Sequence, residues 1–163
     1  MSTHPTSRRS AAEQHKLEAA YRRLTEELIS FNQVLGMKLH EINGPNGTVC
    51  RFDMRPDLVG HYLYGRLHGG VTAAVLDATA GTALMVAIGE KFPHESAEQV
   101  MHRFSKMGTI DMRIDYLRPG LGQHFFAQAI VTRLGGRIGS TQMRLLNDEG
   151  TLIATGAGAY VIS

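Results

Sequence analysis

Residues 65–85 read GRLHGGVTAAVLDATAGTALM: a histidine and two glycines, His68-Gly69-Gly70, head a long apolar run that holds one acid, Asp77. The start of a helix leaves its first backbone N–H groups without partners, and the helix dipole favours negative charge there. Glycine has no side chain to hold a ligand off, so a carbonyl group can approach the N–H groups of Gly69 and Gly70. A carbonyl under attack becomes an oxyanion, and one preorganised donor lowers that barrier by about 2.7–4 kcal/mol. Asp77 supplies the other half of such chemistry. A carboxylate on an apolar helix is costly unless it is paired or wet, and one kept there can serve as general base or nucleophile. Plainer uses exist for both features: a tight turn entering a helix, and an aspartate paired with an arginine.

The spacing constrains how the two halves meet. Gly69 and Asp77 are eight residues apart, which on a helix is a rise of about 12 Å. That is too far for both to serve one carbonyl within a chain. Two subunits related by a two-fold axis remove the difficulty, because Gly69 of one then faces Asp77 of the other, giving two equivalent composite sites. A homo-oligomer is therefore expected, either a dimer or a dimer of dimers.

The surrounding pattern shows what positions these residues. Leu17, Tyr21, Leu24 and Leu28 recur at spacings of four, three and four, which predicts an N-terminal helix over 13–31 packed on a core. Residues 1–12 are polar and expected to be disordered. A first strand is expected over 34–41, a turn over 43–47, and a half-buried strand over 48–55, where Cys50, Phe52 and Met54 alternate with Arg51, Asp53 and Arg55. A loop over 57–68 leads into a central helix over 69–89, followed by a polar segment over 90–107 with a short helix at 96–104. Four strands follow over 109–117, 124–133, 138–146 and 151–162, separated by glycine-rich turns. The cleanest sets Ile110, Met112, Ile114 and Tyr116 opposite Asp111, Arg113 and Asp115. The central helix is apolar nearly all round, so its whole circumference needs cover. This predicts an α+β fold: an antiparallel sheet of five or six strands wrapped around one long helix, as a single domain over 13–163. Ala73, Ala74, Ala78, Ala80, Gly81 and Ala83 are expected to let the sheet approach closely.

Composition narrows the function classes. With 163 residues and a formal net charge of +2, the chain has no basic stripe with interleaved aromatics, so no nucleic-acid partner is expected. Slight basicity suits a phosphorylated small molecule. The single cysteine, Cys50, excludes an internal disulfide and fits a reducing, cytoplasmic setting. The N-terminal residues have no apolar core typical of a secretory signal. Asp77 near the middle of the apolar run would cost about 2.5–3.5 kcal/mol in a membrane, so a buried helix is expected and no membrane partner.

The segments LHGGVTAAVLD, TIDMRIDYLRPG, LGGR and NDEGTLIATGAGAYVI, in that order over roughly residues 47–161, resemble the hotdog-fold acyl-CoA thioesterases. The subtype they most resemble is the phenylacetate-degradation group, relatives of 4-hydroxybenzoyl-CoA thioesterase. The resemblance implies a hotdog fold and hydrolysis of a small or medium acyl- or aryl-CoA, with coenzyme A entering only as part of the substrate and no other cofactor. It places the base or nucleophile on Asp77 and the oxyanion donor on the Gly69 N–H. A hydroxyl that helps hold the attacking water falls on Thr109. Many members carry an asparagine six positions before the histidine; this chain has Tyr62 there, preceded by His61, which bears on the substrate-side hydrogen bond.

Lesser candidates complete the set. His68 fixes the loop or touches the substrate, with Gly70 beside it. Arg118 and Arg137, at strand ends, are placed to meet the phosphates of coenzyme A. His94, Glu95 and His102 do not have the spacing of a metal site, and no metal is expected. Two other functions share the features: a non-catalytic acyl-CoA-binding module, and a dehydratase acting on 3-hydroxyacyl thioesters through His68 and Asp77.

Overall fold

The computed structural model describes residues 8–44 and 46–163. Residues 1–7 of the stretch expected to be disordered, and Pro45 of the expected turn, lie outside the described residues. Six antiparallel strands form one sheet: β1 (Lys38–Gly44), β2 (Gly47–Asp53), β5 (Gly108–Tyr116), β6 (His124–Leu134), β7 (Ile138–Asn147) and β8 (Leu152–Val161), in the order β1-β2-β6-β7-β8-β5. Between β2 and β5 the chain forms a small ribbon, β3 (Val59–His61) with β4 (Arg66–Leu67), within the expected loop. It then forms the central helix α3 (Gly69–Lys91) and a short helix α4 (Ala97–His102). This long crossover delivers β5 to the far edge of the sheet, where one side of the strand has no neighbour among the described residues.

The sheet wraps α3 because its strands alternate. In β6 and β7 the inward residues Phe125, Ala127, Ala129, Met143 and Leu145 are buried, while the residues between them are more open. Close approach is needed where Leu84 of α3 meets β7: a Cβ on Gly139 would lie 2.5 Å from a Leu84 methyl. By length and composition α3 could cross a membrane, yet 61% of its most apolar stretch is buried within the chain itself.

The cover is not complete, contrary to the expectation. Thr72, Val75, Leu76 and Thr79 face inward, but Ala73, Asp77 and Gly81 lie on a half-open strip. Of the small residues expected under the sheet, Ala80 and Ala83 are buried in the core, whereas nothing approaches the Gly81 position within 4 Å of a Cβ. On β5 a bulge at Ile110 breaks the predicted alternation. Met112 and Ile114 remain half-buried while Ile110 and Tyr116 are exposed.

The N-terminal region departs most from the periodic reading. Helix α1 (Ala11–Arg23) starts ahead of 13 because Ser10 caps it, accepting from the Glu13 N–H. Arg9, in the stretch expected to be disordered, donates to the carbonyls of Gly89, Phe92 and Glu95 at 3.0, 2.8 and 3.0 Å. These cover the C-terminal end of α3. A π-helical turn over Leu24–Leu28 then interrupts the helix. The extra residue rotates the stripe: Thr25 is buried, Leu24 half-buried and Leu28 exposed. The Asn32 side chain donates to the Thr25 carbonyl at 3.0 Å. The expected first strand at 34–41 is instead the end of α2 (Ser30–Leu35), a left-handed Gly36 at φ 70°, and the first residues of β1.

Candidate active site

Asp77 lies half-buried on the open strip of α3, and two hydroxyls grip one of its oxygens. Thr109 Oγ1 donates to Oδ1 at 2.9 Å and the Tyr160 hydroxyl donates to the same oxygen at 3.1 Å. The other oxygen, Oδ2, accepts no hydrogen bond among the described residues. Tyr160 is buried, and burial together with the adjacent Asp77 charge pushes its hydroxyl well above the ordinary tyrosine range, so it stays a donor. Its ring folds back over Gly158, where a Cβ would fall 2.8 Å from the ring. The glycine two residues before a tyrosine on β8 is the signal in the sequence that could have flagged Tyr160.

At the head of α3 the His68 side chain acts as the N-cap. Its Nδ1 accepts from the Gly70 N–H at 2.8 Å, so Gly70's donor is occupied. The Gly69 N–H has no acceptor among the described residues and remains the free donor. Tyr116, which the alternation treats only as a strand residue, donates its hydroxyl to the Gly69 carbonyl at 2.8 Å, its ring beside the glycine. Gly69 thus presents an unpartnered N–H while its carbonyl is held.

A pocket of about 150 Å³ opens beside Asp77. One wall is the strip Asp77, Ala78, Gly81, Thr82 and Met85 of α3; Tyr21, Leu24, Thr25 and Ile29 roof it, and Phe104 and Met107 stand at its side. Tyr21 and Leu24, read from the sequence as packing residues only, therefore share a cavity with the acid. The buried Thr25 and Thr82 pair their hydroxyls with each other at 3.2 Å where the roof meets α3, leaving the rest of the lining largely apolar.

The remaining predicted residues are dispersed. His61 and Tyr62 sit at the exposed tip of the β3–β4 ribbon, Tyr62 being 86% exposed, and neither lines the Asp77 pocket. Arg118 donates to the Leu152 carbonyl at 2.9 Å in a loop packed on the head of α3, where the Leu67 N–H donates to Gly120. Arg137 lies at the opposite end, in the turn whose Gly135 carbonyl accepts from Lys91. The two arginines do not converge within one chain. Glu95 is engaged by Arg103 at 2.5 and 2.9 Å, which holds its carboxyl below the usual range. Cys50 is fully buried, and burial pushes its thiol up to about 12.

Residues 64–154, more than half of the chain, match the thioesterase superfamily. The chain belongs to that superfamily, has its hotdog fold, and is a thioester hydrolase. It is 37% identical over 135 residues to the medium/long-chain acyl-CoA thioesterase YigI of Escherichia coli K12, covering 81% of this chain and 84% of that protein. A Shewanella oneidensis protein related to the thioesterase superfamily superposes with a TM-score of 0.86 at 33% identity, over 95% of this chain and all of the other. A variant of the phenylacetic acid degradation protein PaaI from Thermus thermophilus shares the fold alone, with a TM-score of 0.63 at 23% identity over 82% of this chain and 99% of the other.

Proposed function

We propose that the chain is an acyl-CoA thioesterase that works as a two-fold dimer, with Asp77 of one subunit and the Gly69 N–H of the other flanking one thioester. The observation that carries this is the asymmetry at Asp77: Oδ1 is fixed by two donors while Oδ2 is free, beside an apolar pocket. In one route Oδ2 takes a proton from water as the water oxygen adds to the carbonyl carbon, and the oxyanion forms at Gly69. Collapse then expels the coenzyme A thiolate, which takes that proton from Asp77. In the other Oδ2 itself adds to the carbon, and collapse expels the thiolate and leaves an acyl–Asp77 anhydride. Water then hydrolyses the anhydride, freeing the acid and the carboxylate and supplying the proton that the thiolate takes up. Thr109 keeps lone pairs free to accept from the water, and Tyr160 fixes the carboxylate's rotation. His68 shapes the donor by withdrawing Gly70's N–H. Arg118 lies at the Gly69 end, suited to a coenzyme A phosphate.

Two features support the dimer. β5 is an open sheet edge, a surface that proteins cover or pair. The same edge carries Thr109 and borders the half-open strip of α3 that bears Asp77. Similarity to YigI, named for medium- and long-chain substrates, favours an acyl over an aryl group.

The test follows thiol release from acyl-CoAs of graded length. Asp77→Ala is expected to lower kcat by about 10²–10⁴-fold with KM changed only slightly. A variant that turns over at the wild-type rate overturns the assignment. Active protein that sediments as a monomer overturns the composite site.

A further inference from the structure

We infer that the pocket beneath the N-terminal helices receives the acyl chain, that its roof measures the chain's length, and that Gly81 holds it open. This rests on the thioesterase reading and specifies its substrate. The strip from Asp77 to Met85 spans eight residues, a rise of about 12 Å leading away from the reacting carboxylate. An acyl group whose carbonyl lies at Asp77 therefore has an apolar channel ahead of it. A dry cavity of about 150 Å³ admits a benzene-sized guest, so the space fits a medium-length tail of about six carbons beyond the carbonyl.

Gly81 gives the clearest sign of an occupant. Glycine inside a helix is unfavourable relative to alanine. At Gly89 of the same helix the reason is packing, since a Cβ would meet the Tyr21 hydroxyl at 2.2 Å. At Gly81 no atom lies within 4 Å of that position. Gly81 faces the pocket one turn beyond Asp77, and no contact among the described residues requires a glycine there, so what its missing side chain provides is room in the pocket.

The roof is a defined wall. The π-turn brings Leu24 over the cavity and swings Leu28 out to solvent. Its freed Thr25 carbonyl is tied by Asn32, and the Thr25 hydroxyl is tied to Thr82 of α3. Single π-turns within helices cluster at functional sites. These roof residues lie outside the 64–154 segment that defines the superfamily match, so the roof is an addition to the superfamily's common part that is placed to set selectivity.

The experiment compares kcat/KM for saturated acyl-CoAs from acetyl to palmitoyl. Gly81→Leu fills the channel and is expected to lower the octanoyl-to-acetyl ratio at least about tenfold, the scale on which apolar pockets discriminate single methylenes. Leu24→Ala thins the roof and is expected to raise the ratio of dodecanoyl to hexanoyl several-fold. If Gly81→Leu does not fold by circular dichroism, Leu24→Ala and Leu24→Trp, shifting the profile in opposite directions, decide the matter. Length profiles parallel to wild type in the folded variants overturn the inference and leave the thioesterase reading standing. Calorimetry with non-hydrolysable acyl-CoA thioethers separates the two further. Length-dependent affinity that Gly81→Leu resets upholds the pocket even where no thiol is released, and length-independent affinity overturns it.

Discussion

From Ala83 to Gly89 the central helix is buried at every position but Ala87, whereas from Gly69 to Asp77 only Thr72, Val75 and Leu76 are buried. The late half is bound from several sides. Leu84 seats against Gly139, the Tyr21 hydroxyl donates to the Met85 carbonyl at 3.1 Å, and Arg9 covers the last carbonyls. At the early half, among the described residues, the Gly69 N–H has no acceptor and one Asp77 oxygen has no donor. A helix normally needs both ends satisfied. Here the late end is satisfied inside the chain, while at the early end His68 takes the Gly70 N–H and the Gly69 N–H has no acceptor among the described residues. Stability is concentrated in the second half, and the first half can carry groups that are costly to leave incomplete.

The sharpest way to break this division is a mixing experiment. Asp77→Ala and Gly69→Pro, the latter removing one N–H at a helix position that tolerates proline, should each be nearly inactive. Co-refolded in equal amounts, they are expected to recover about a quarter of wild-type activity, because half of the dimers then hold one intact site. No recovery would place both groups in one chain's site. Next in size is Leu84→Ala, in the buried half. It should lower stability by about 2–5 kcal/mol in chemical denaturation and leave kcat/KM within about twofold at room temperature. A large loss of turnover would show the two halves to be coupled. Tyr160→Phe removes a donor to Asp77. It should lower kcat about tenfold, the worth of one buried hydrogen bond to a charged group, with little effect on KM. The smallest effect concerns Cys50. With its thiol pushed up to about 12 and no exposed surface, it should resist thiol reagents near pH 8 until the protein is unfolded, when one thiol per chain reacts. Reaction in the native state would mean that the core under β2 opens readily.

Much of this arrangement was legible in the sequence. The His68-Gly69-Gly70 start and the solitary Asp77 stand out because charge in an apolar run and paired glycines are local signals. The half-buried strands alternate visibly, and the central helix is apolar enough to demand a wrap. Contacts between distant residues were not legible. Tyr160 lies 83 positions from the acid it supports, and in sequence it is one more residue of a β-strand. Tyr116 was read for its face of β5 and not for the Gly69 carbonyl. The π-turn was invisible because the spacing of Leu17, Tyr21, Leu24 and Leu28 fits an unbroken helix. Only packing against α3, and an asparagine placed to take a freed carbonyl, favour the extra residue. Arg118 and Arg137 look equivalent as turn arginines, and the topology sends them to opposite ends of α3.

The grip of Arg9 on the end of α3 reaches beyond the fold. That guanidinium moors α1 at the edge of the barrel-like wrap, and α1 leads directly into the segment that ceilings the acyl channel. A protease nick or bulky fusion at this mooring would leave the carboxylate and its hydroxyl partners where they are. It would slacken the ceiling, so the altered enzyme would still cut but would lose its sense of how long a fatty tail should be.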